Sequence, residues 1–110
     1  MDREPTKKVL CETIANMMAC KYPATSNIYN NLKNDPQYLY IMDLINRGQY
    51  NKVLVYAMCI SYNEDEDVNN RSDIYKQIRK EIIKQKKNNK MNDRYIADIV
   101  YDKFIGVLYE

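Results

Sequence analysis

The residues that could do chemistry in this sequence are carboxylates, amides and lysines, and most lie between positions 63 and 90. Residues 63–70 are acidic, with Asp65, Asp67 and Asn69 at alternate positions. Oxygen ligands at the first, third and fifth positions are typical of the start of a calcium-binding EF-hand loop. The twelfth position, which should be a bidentate Glu, is Lys76 here, and its positive charge opposes calcium binding. The pattern favours a solvated acidic loop, and we predict no metal site.

The segment from 71 to 90 is the most basic part of the chain. It carries eight Lys and Arg against two acidic residues, whereas residues 1–70 and 91–110 each have a net charge of −2. Ile74, Ile78 and Ile82 recur every four residues, which predicts a helix whose isoleucines face the core and whose cations point outward as one stripe. A contact surface for phosphates or an acidic partner is predicted from Lys76, Arg79, Lys80, Lys84, Lys86 and Lys87. The alternative is an ordinary solvated helix surface in a Lys-rich protein.

Several kinds of catalytic site are excluded by composition. The chain has no His, which removes the Ser/His and Cys/His pairs and the commonest zinc ligand. Its two glycines stand alone, so no glycine-rich loop can cradle a phosphate. The three cysteines, Cys11, Cys20 and Cys59, form no Cys-x-x-Cys pair and have apolar neighbours. We therefore expect no enzyme, no cofactor and no metal, and reduced, buried thiols in a reducing compartment.

A helical hairpin between positions 35 and 62 is the predicted centre of the fold. Asp35-Pro36 is a strong helix start, and Arg47-Gly48 is a strong helix end. The first helix should bury apolar residues spaced by three and four, namely Tyr38, Leu39, Ile41, Met42 and Ile45. The second runs from about Gln49 to Tyr62 and contains the apolar run 53–60. A buried strand is the alternative for this run, but no other segment alternates with period two to pair with it.

Further helices are predicted on both sides of this hairpin. The first spans about 6–20, and its predicted inward face is Val9, Leu10, Ile14, Met17 and Met18. A very short helix follows Thr25-Ser26, and Ser72-Asp73 starts the basic helix. Asn92-Asp93 caps the last helix, whose predicted inward residues are Ile96, Ile99, Val100, Phe104 and Leu108. Residues 1–5 should be frayed, with an acidic loop at 63–71 and a loop at 88–92.

These elements predict the fold class. A chain of 110 residues suits one domain, and only two Gly and three Pro are too few for a many-turned β protein. We predict an all-α, compact single-domain bundle of about five or six short helices around a central αα-hairpin, with residues 1–110 forming one domain.

The origin and location of the chain can also be inferred from composition. Asn, Ile, Lys and Tyr, whose codons begin with two A/T bases, supply 48 of 110 residues, which indicates an A/T-rich genome such as that of many large DNA viruses, phages, parasites and some bacteria. The first ten residues lack the apolar core of a signal peptide, and the run 53–60 is too short to span a membrane. We expect a cytoplasmic protein without membrane association, in the host cytoplasm or nucleus if it is viral.

Three functions are compatible with this pattern. The first is a small, non-catalytic protein-interaction module, encoded by a virus or phage to modulate a host protein. It is favoured by the missing catalytic groups and by eleven Tyr, which bind well at interfaces. The second is a nucleic-acid-binding regulator that uses the basic helix 71–90. The third is a homodimeric assembly protein that uses the same Tyr-rich and apolar surface on itself.

Overall fold

Helices account for all the regular secondary structure in the computed structural model, which describes residues 6–19, 34–61, 63, 65–88 and 92–108. Five helices and no strand occur in these ranges: α1 Lys7–Ala19, α2 Pro36–Asn46, α3 Tyr50–Ile60, α4 Asp73–Asn88 and α5 Asp93–Phe104. The predicted all-α class is confirmed. The short helix predicted after Thr25 lies outside the described residues, as do Cys20, residues 1–5 and most of the loop 88–92.

The two ends of α2 are fixed by the residues that predicted them. Asp35 is the N-cap, and its Oδ1 accepts hydrogen bonds from the backbone N–H of Gln37 at 2.8 Å and of Tyr38 at 3.4 Å. At the other end Gly48 has φ +74°, a left-handed conformation in which a β-carbon would be strained. The Gly48 and Gln49 N–H groups donate to Ile45 and Leu44 carbonyls, a Schellman motif that ends the helix.

The apolar run that follows is helical, so the strand alternative is wrong. It lies in α3, where Val53, Val55, Tyr56 and Cys59 are buried and Leu54, Ala57, Met58 and Ile60 are half-buried. A helix satisfies its own backbone groups, whereas a lone strand would leave them unpaired. The chain divides into two compact units, of which one ends at Val53 and the next begins at Leu54. The expectation of a single domain stays a prediction.

In the unit that ends at Val53, α1 packs against α2, and the predicted face of α1 is only partly covered, with Ile14 and Met18 half-buried. The buried residues of α1 are Cys11 and Ala15, and the Cys11 thiol donates a hydrogen bond to the Tyr50 carbonyl oxygen at 3.4 Å. Val9, Leu10 and Met17, which we expected inside, are exposed. Small side chains let two helices approach closely. The side of α1 that carries Cys11 and Ala15 is therefore buried, and the side that carries Leu10 and Met17 is not.

On α2 the expected face is also rotated. Ile41 and Ile45 are buried as predicted, and so is Leu44, which the prediction left out. Leu39 is exposed, contrary to the prediction, while Tyr38 and Met42 are half-buried.

In the unit that begins at Leu54, α4 packs against α5. Ile78 and Ile82 of α4 are buried as predicted, and Ile74 is half-buried. On α5 the predicted Ile96 and Val100 are buried, and they are joined by Ala97 and Tyr101, which the prediction missed. The predicted caps are present: Ser72 Oγ accepts from the Tyr75 N–H at 3.3 Å, and Asn92 Oδ1 accepts from the Tyr95 N–H at 2.9 Å.

Candidate interaction surfaces

Four of the six cations predicted as a contact surface lie together on the side of α4 opposite its buried isoleucines. Lys76, Lys80, Lys84 and Lys87 follow one another at spacings of four, four and three residues, so their side chains share one helical face. Lys80, Lys84 and Lys87 are exposed, and Lys76 is half-buried. We call these four residues the lysine face.

The other two cations, Arg79 and Lys86, do not belong to that face. The Arg79 side chain is only 15% exposed, and its Nη2 donates a hydrogen bond to the Asn63 carbonyl oxygen at 2.6 Å. Lys86 lies 3.3 Å from the Asp93 carboxylate, and its side chain is 26% exposed. The prediction of one outward stripe of six cations is therefore wrong, because loop and helix groups beside the core hold two of them.

Glu66 in the acidic loop is the centre of a polar cluster on the inner side of α4. Its carboxylate accepts a hydrogen bond from the Tyr75 hydroxyl at 3.0 Å, and it lies 3.4 Å from Arg71 Nη2 and 3.7 Å from Arg79 Nε. The Arg71 guanidinium also lies over the Tyr75 ring, 4.8 Å from its centroid. We call Glu66, Arg71, Tyr75 and Arg79 the Glu66 cluster.

The Glu66 cluster changes the acidity of Tyr75. Burial raises the pKa of the Tyr75 hydroxyl, and the hydrogen bond to Glu66 and the negative charge of that carboxylate raise it further. The cluster adjoins a cavity of about 10 Å³ that is also lined by Met58, Ser61 and Ile82. A space of this size holds about one water molecule, so it is no binding pocket for an organic ligand.

A second polar group joins α4 to α5 on the buried side. Glu81 is buried, and its carboxylate accepts hydrogen bonds from Gln85 Nε2 at 2.8 Å and from Lys103 Nζ at 3.0 Å. These two hydrogen bonds lower the pKa of Glu81, and they outweigh the opposite effect of burial. Because Glu81 lies on α4 and Lys103 on α5, this ion pair connects the two helices.

Two side chains of the acidic loop, Asn63 and Asp67, form local hydrogen bonds with the backbone. Asn63 Oδ1 accepts from the Asp65 N–H, and Asp67 Oδ1 accepts from the Asn69 N–H, both at 3.0 Å. These are Asx turns, in which a side-chain oxygen stabilises the backbone two residues further on. Across the ranges that the structure describes, no three His, Cys, Asp or Glu side chains come together in a way that could hold a metal ion.

The cysteines that the structure describes, Cys11 and Cys59, are buried free thiols, as predicted. Burial raises the pKa of Cys59 to about 12, and the negative charge of Asp93 acts in the same direction. The positive charge of Lys86 acts in the opposite direction and lowers the pKa. Burial is the larger effect, so the thiol stays protonated and is a poor nucleophile at neutral pH.

Large apolar side chains are exposed on α1. Leu10 and Met17 are 43% and 67% exposed, and the half-buried Ile14 lies between them on the same side of the helix. We call these three residues the aliphatic face of α1. Leu39 on α2 is also exposed, in the same compact unit. Sequence reasoning found the three α1 residues but assigned them to the core.

Seven of the eleven tyrosines lie in the part of the chain that the structure describes, and these seven do not form an exposed tyrosine surface. Among those in the described ranges, Tyr56 and Tyr101 are buried and only Tyr95 is exposed. The others, Tyr38, Tyr40, Tyr50 and Tyr75, are half-buried.

Comparisons with known proteins give no relative for this chain. No protein-family model matches it, and neither a curated protein nor a solved structure is significantly similar. Within the described ranges, no helix combines the length and the apolar character needed to cross a membrane.

Proposed function

We propose that this chain is a non-catalytic helical module that binds another protein, encoded by a virus or phage to modulate a host protein. The observation that carries the proposal is the aliphatic face of α1. Leu10 and Met17 expose much of their surface although a buried face lies directly beside them on the same helix. Exposed apolar side chains that adjoin one another are typical of protein-binding surfaces, because covering them removes apolar area from water.

The partner that suits this surface is a protein with its own apolar helix face or groove. An amphipathic helix is bound through side chains spaced by three, four and seven residues, which is the spacing of Leu10, Ile14 and Met17. The absence of His from the sequence supports a role without catalysis. The residue usage, which indicates an A/T-rich genome, supports an origin in a virus or phage. The free thiols Cys11 and Cys59 support a reducing compartment such as the host cytoplasm or nucleus.

A double substitution on α1 tests this proposal. Leu10→Gln with Met17→Gln keeps good helix formers at both positions and removes the apolar contact. We expect the helical circular dichroism signal to persist and binding to the cellular partner to be lost. The matched control is Tyr95→Gln with Ile105→Gln, which changes two exposed apolar residues of α5 and its C-terminal end and should retain the partner.

The experiment compares the proteins that co-purify with the wild type, the α1 variant and the control from the native host cells. A protein held by the wild type and the control but lost by the α1 variant is then purified and its affinity measured directly. Equal capture by all three would contradict the proposal. Analytical ultracentrifugation of the purified wild type and the α1 variant tests the homodimer hypothesis. If the wild type is a dimer and the α1 variant is a monomer, the aliphatic face of α1 binds a second copy of the chain.

A further inference from the structure

The lysine face is a charged surface that the proposed protein contact on α1 does not use. Across it, α4 presents four Lys at successive turns, and the two other cations of this helix, Arg79 and Lys86, are turned away to Asn63, Glu66 and Asp93. The positive potentials of lysines at these spacings add along one side of the helix. The arrangement therefore suits a ligand with negative charges in a row.

We infer that Lys76, Lys80, Lys84 and Lys87 form a binding surface for the phosphate backbone of a nucleic acid. Lys is depleted at protein–protein interfaces, where Trp, Tyr and Arg provide most of the binding energy, and the lysine face contains none of these three. Phosphates, by contrast, are neutralised well by Lys acting as a point charge, and each contact releases counterions from the nucleic acid. A polyphosphate backbone fits this composition better than an acidic protein does.

The contacts should be independent of base sequence. Bidentate recognition of guanine commonly uses Arg, and Arg79, the one Arg within α4, has its guanidinium on the Asn63 carbonyl oxygen and beside Glu66. The aromatic ring of α4, Tyr75, donates its hydroxyl hydrogen to Glu66 and has Arg71 over its face, so it offers no platform on which a base could stack. What remains is an electrostatic surface that follows the backbone.

The dependence of binding on salt measures the number of contacts. Four phosphate contacts on duplex DNA give a slope of about −3.6 for log K against log salt, which is about a 150-fold loss of affinity between about 50 and 200 mM. Lys80→Gln with Lys84→Gln removes two contacts, so the slope should fall to about −1.8 and the loss to about 12-fold. Both residues are exposed, so the helix should keep its structure.

The matched control removes the same charge elsewhere. Lys8→Gln with Arg47→Gln also lowers the net charge by two, at exposed positions on α1 and in the turn after α2. Binding of each purified full-length protein to a mixed-sequence DNA duplex and to a single strand is measured by fluorescence anisotropy at several salt concentrations. We expect the control to keep the wild-type slope and the variant of the lysine face to lose half of it.

Three outcomes would overturn the inference. Equal slopes for the two double variants would mean that net charge, and not the lysine face, determines binding. A strong preference for one duplex sequence would mean that bases are read. Absence of binding to either nucleic acid at low salt would refute it outright, and binding to a polyglutamate peptide that depends on Lys80 and Lys84 would then identify an acidic protein as the partner. None of these results depends on the partner of α1.

Discussion

Two sides of α4 carry positive charges, but the charges on one side are exposed and those on the other contact groups of the same chain. Lys84 and Lys86 are two residues apart, about 200° around the helix, so one is exposed on the lysine face and the other lies beside Asp93 near the core. Lys80 and Lys84 of the lysine face are exposed to solvent, whereas Arg79 and Lys86 contact neighbouring segments of the chain. A run of cations in a sequence therefore contains residues with different roles, which are separated by their direction around the helix.

The largest expected effect is the loss of folding when a charged residue replaces a buried isoleucine of α4. Ile82 is 1% exposed, and Ile82→Asp would bury a carboxylate beside Glu66, where the neighbouring cation, Arg79, already contacts Glu66 and Asn63. We expect loss of cooperative unfolding and of most helical signal in circular dichroism. Gln77→Asp introduces the same charge at an exposed position of α4 and should fold like the wild type. A native-like thermal transition for Ile82→Asp would mean that this side is not the core.

A smaller effect separates the two groups of cations directly. Arg79→Ala removes the hydrogen bond to Asn63 and leaves Glu66 without one of its cations, so it should cost about 1–3 kcal/mol of unfolding free energy. Lys80→Ala, one residue later on the lysine face, should change stability by no more than about 0.5 kcal/mol. Urea denaturation of both variants measures the difference. A similar loss of unfolding free energy in the two variants would mean that Arg79 stabilises the fold no more than Lys80 does.

The caps of these helices could be predicted from sequence, because a cap depends on residues that are close along the chain. Asp35, Gly48 and Asn92 each determine a helix end through their own side chain or backbone conformation. The contact partners of Arg79 could not be predicted in the same way. Its partners Asn63 and Glu66 lie sixteen and thirteen positions earlier in an acidic loop, and the path of that loop is not specified by any local periodicity.

The face of α1 was mispredicted for a different reason. Leu10 and Met17 have helical spacing and apolar side chains, but so do Cys11 and Ala15, which lie about 130° away around the helix. Periodicity identifies an apolar arc without showing which part of it contacts the next helix. The smaller pair is buried, and the larger residues that sequence reasoning placed in the core became the candidate binding surface.

The smallest effect concerns Glu81, the buried acidic residue among the cations of α4. Its pKa is lowered from its ordinary value of 4.5, so its stabilisation is complete above that value and is lost as pH falls through the lower pKa of the folded state. Glu81→Gln lacks this contribution. The difference in unfolding free energy between wild type and variant should therefore shrink between about pH 7 and about pH 3. A difference that does not change with pH would show that the carboxylate is not stabilised in its charged form.

The hydrogen bond from Tyr75 to Glu66 has an optical consequence. The chain has no Trp, so its ultraviolet fluorescence comes from tyrosine alone. A tyrosine whose hydroxyl is bonded to a carboxylate emits weakly, because the excited phenol gives up its proton readily to such an acceptor. Tyr75 is therefore a dark fluorophore in the folded protein, and any event that draws Glu66 away from it would be visible as an increase in emission without an added label.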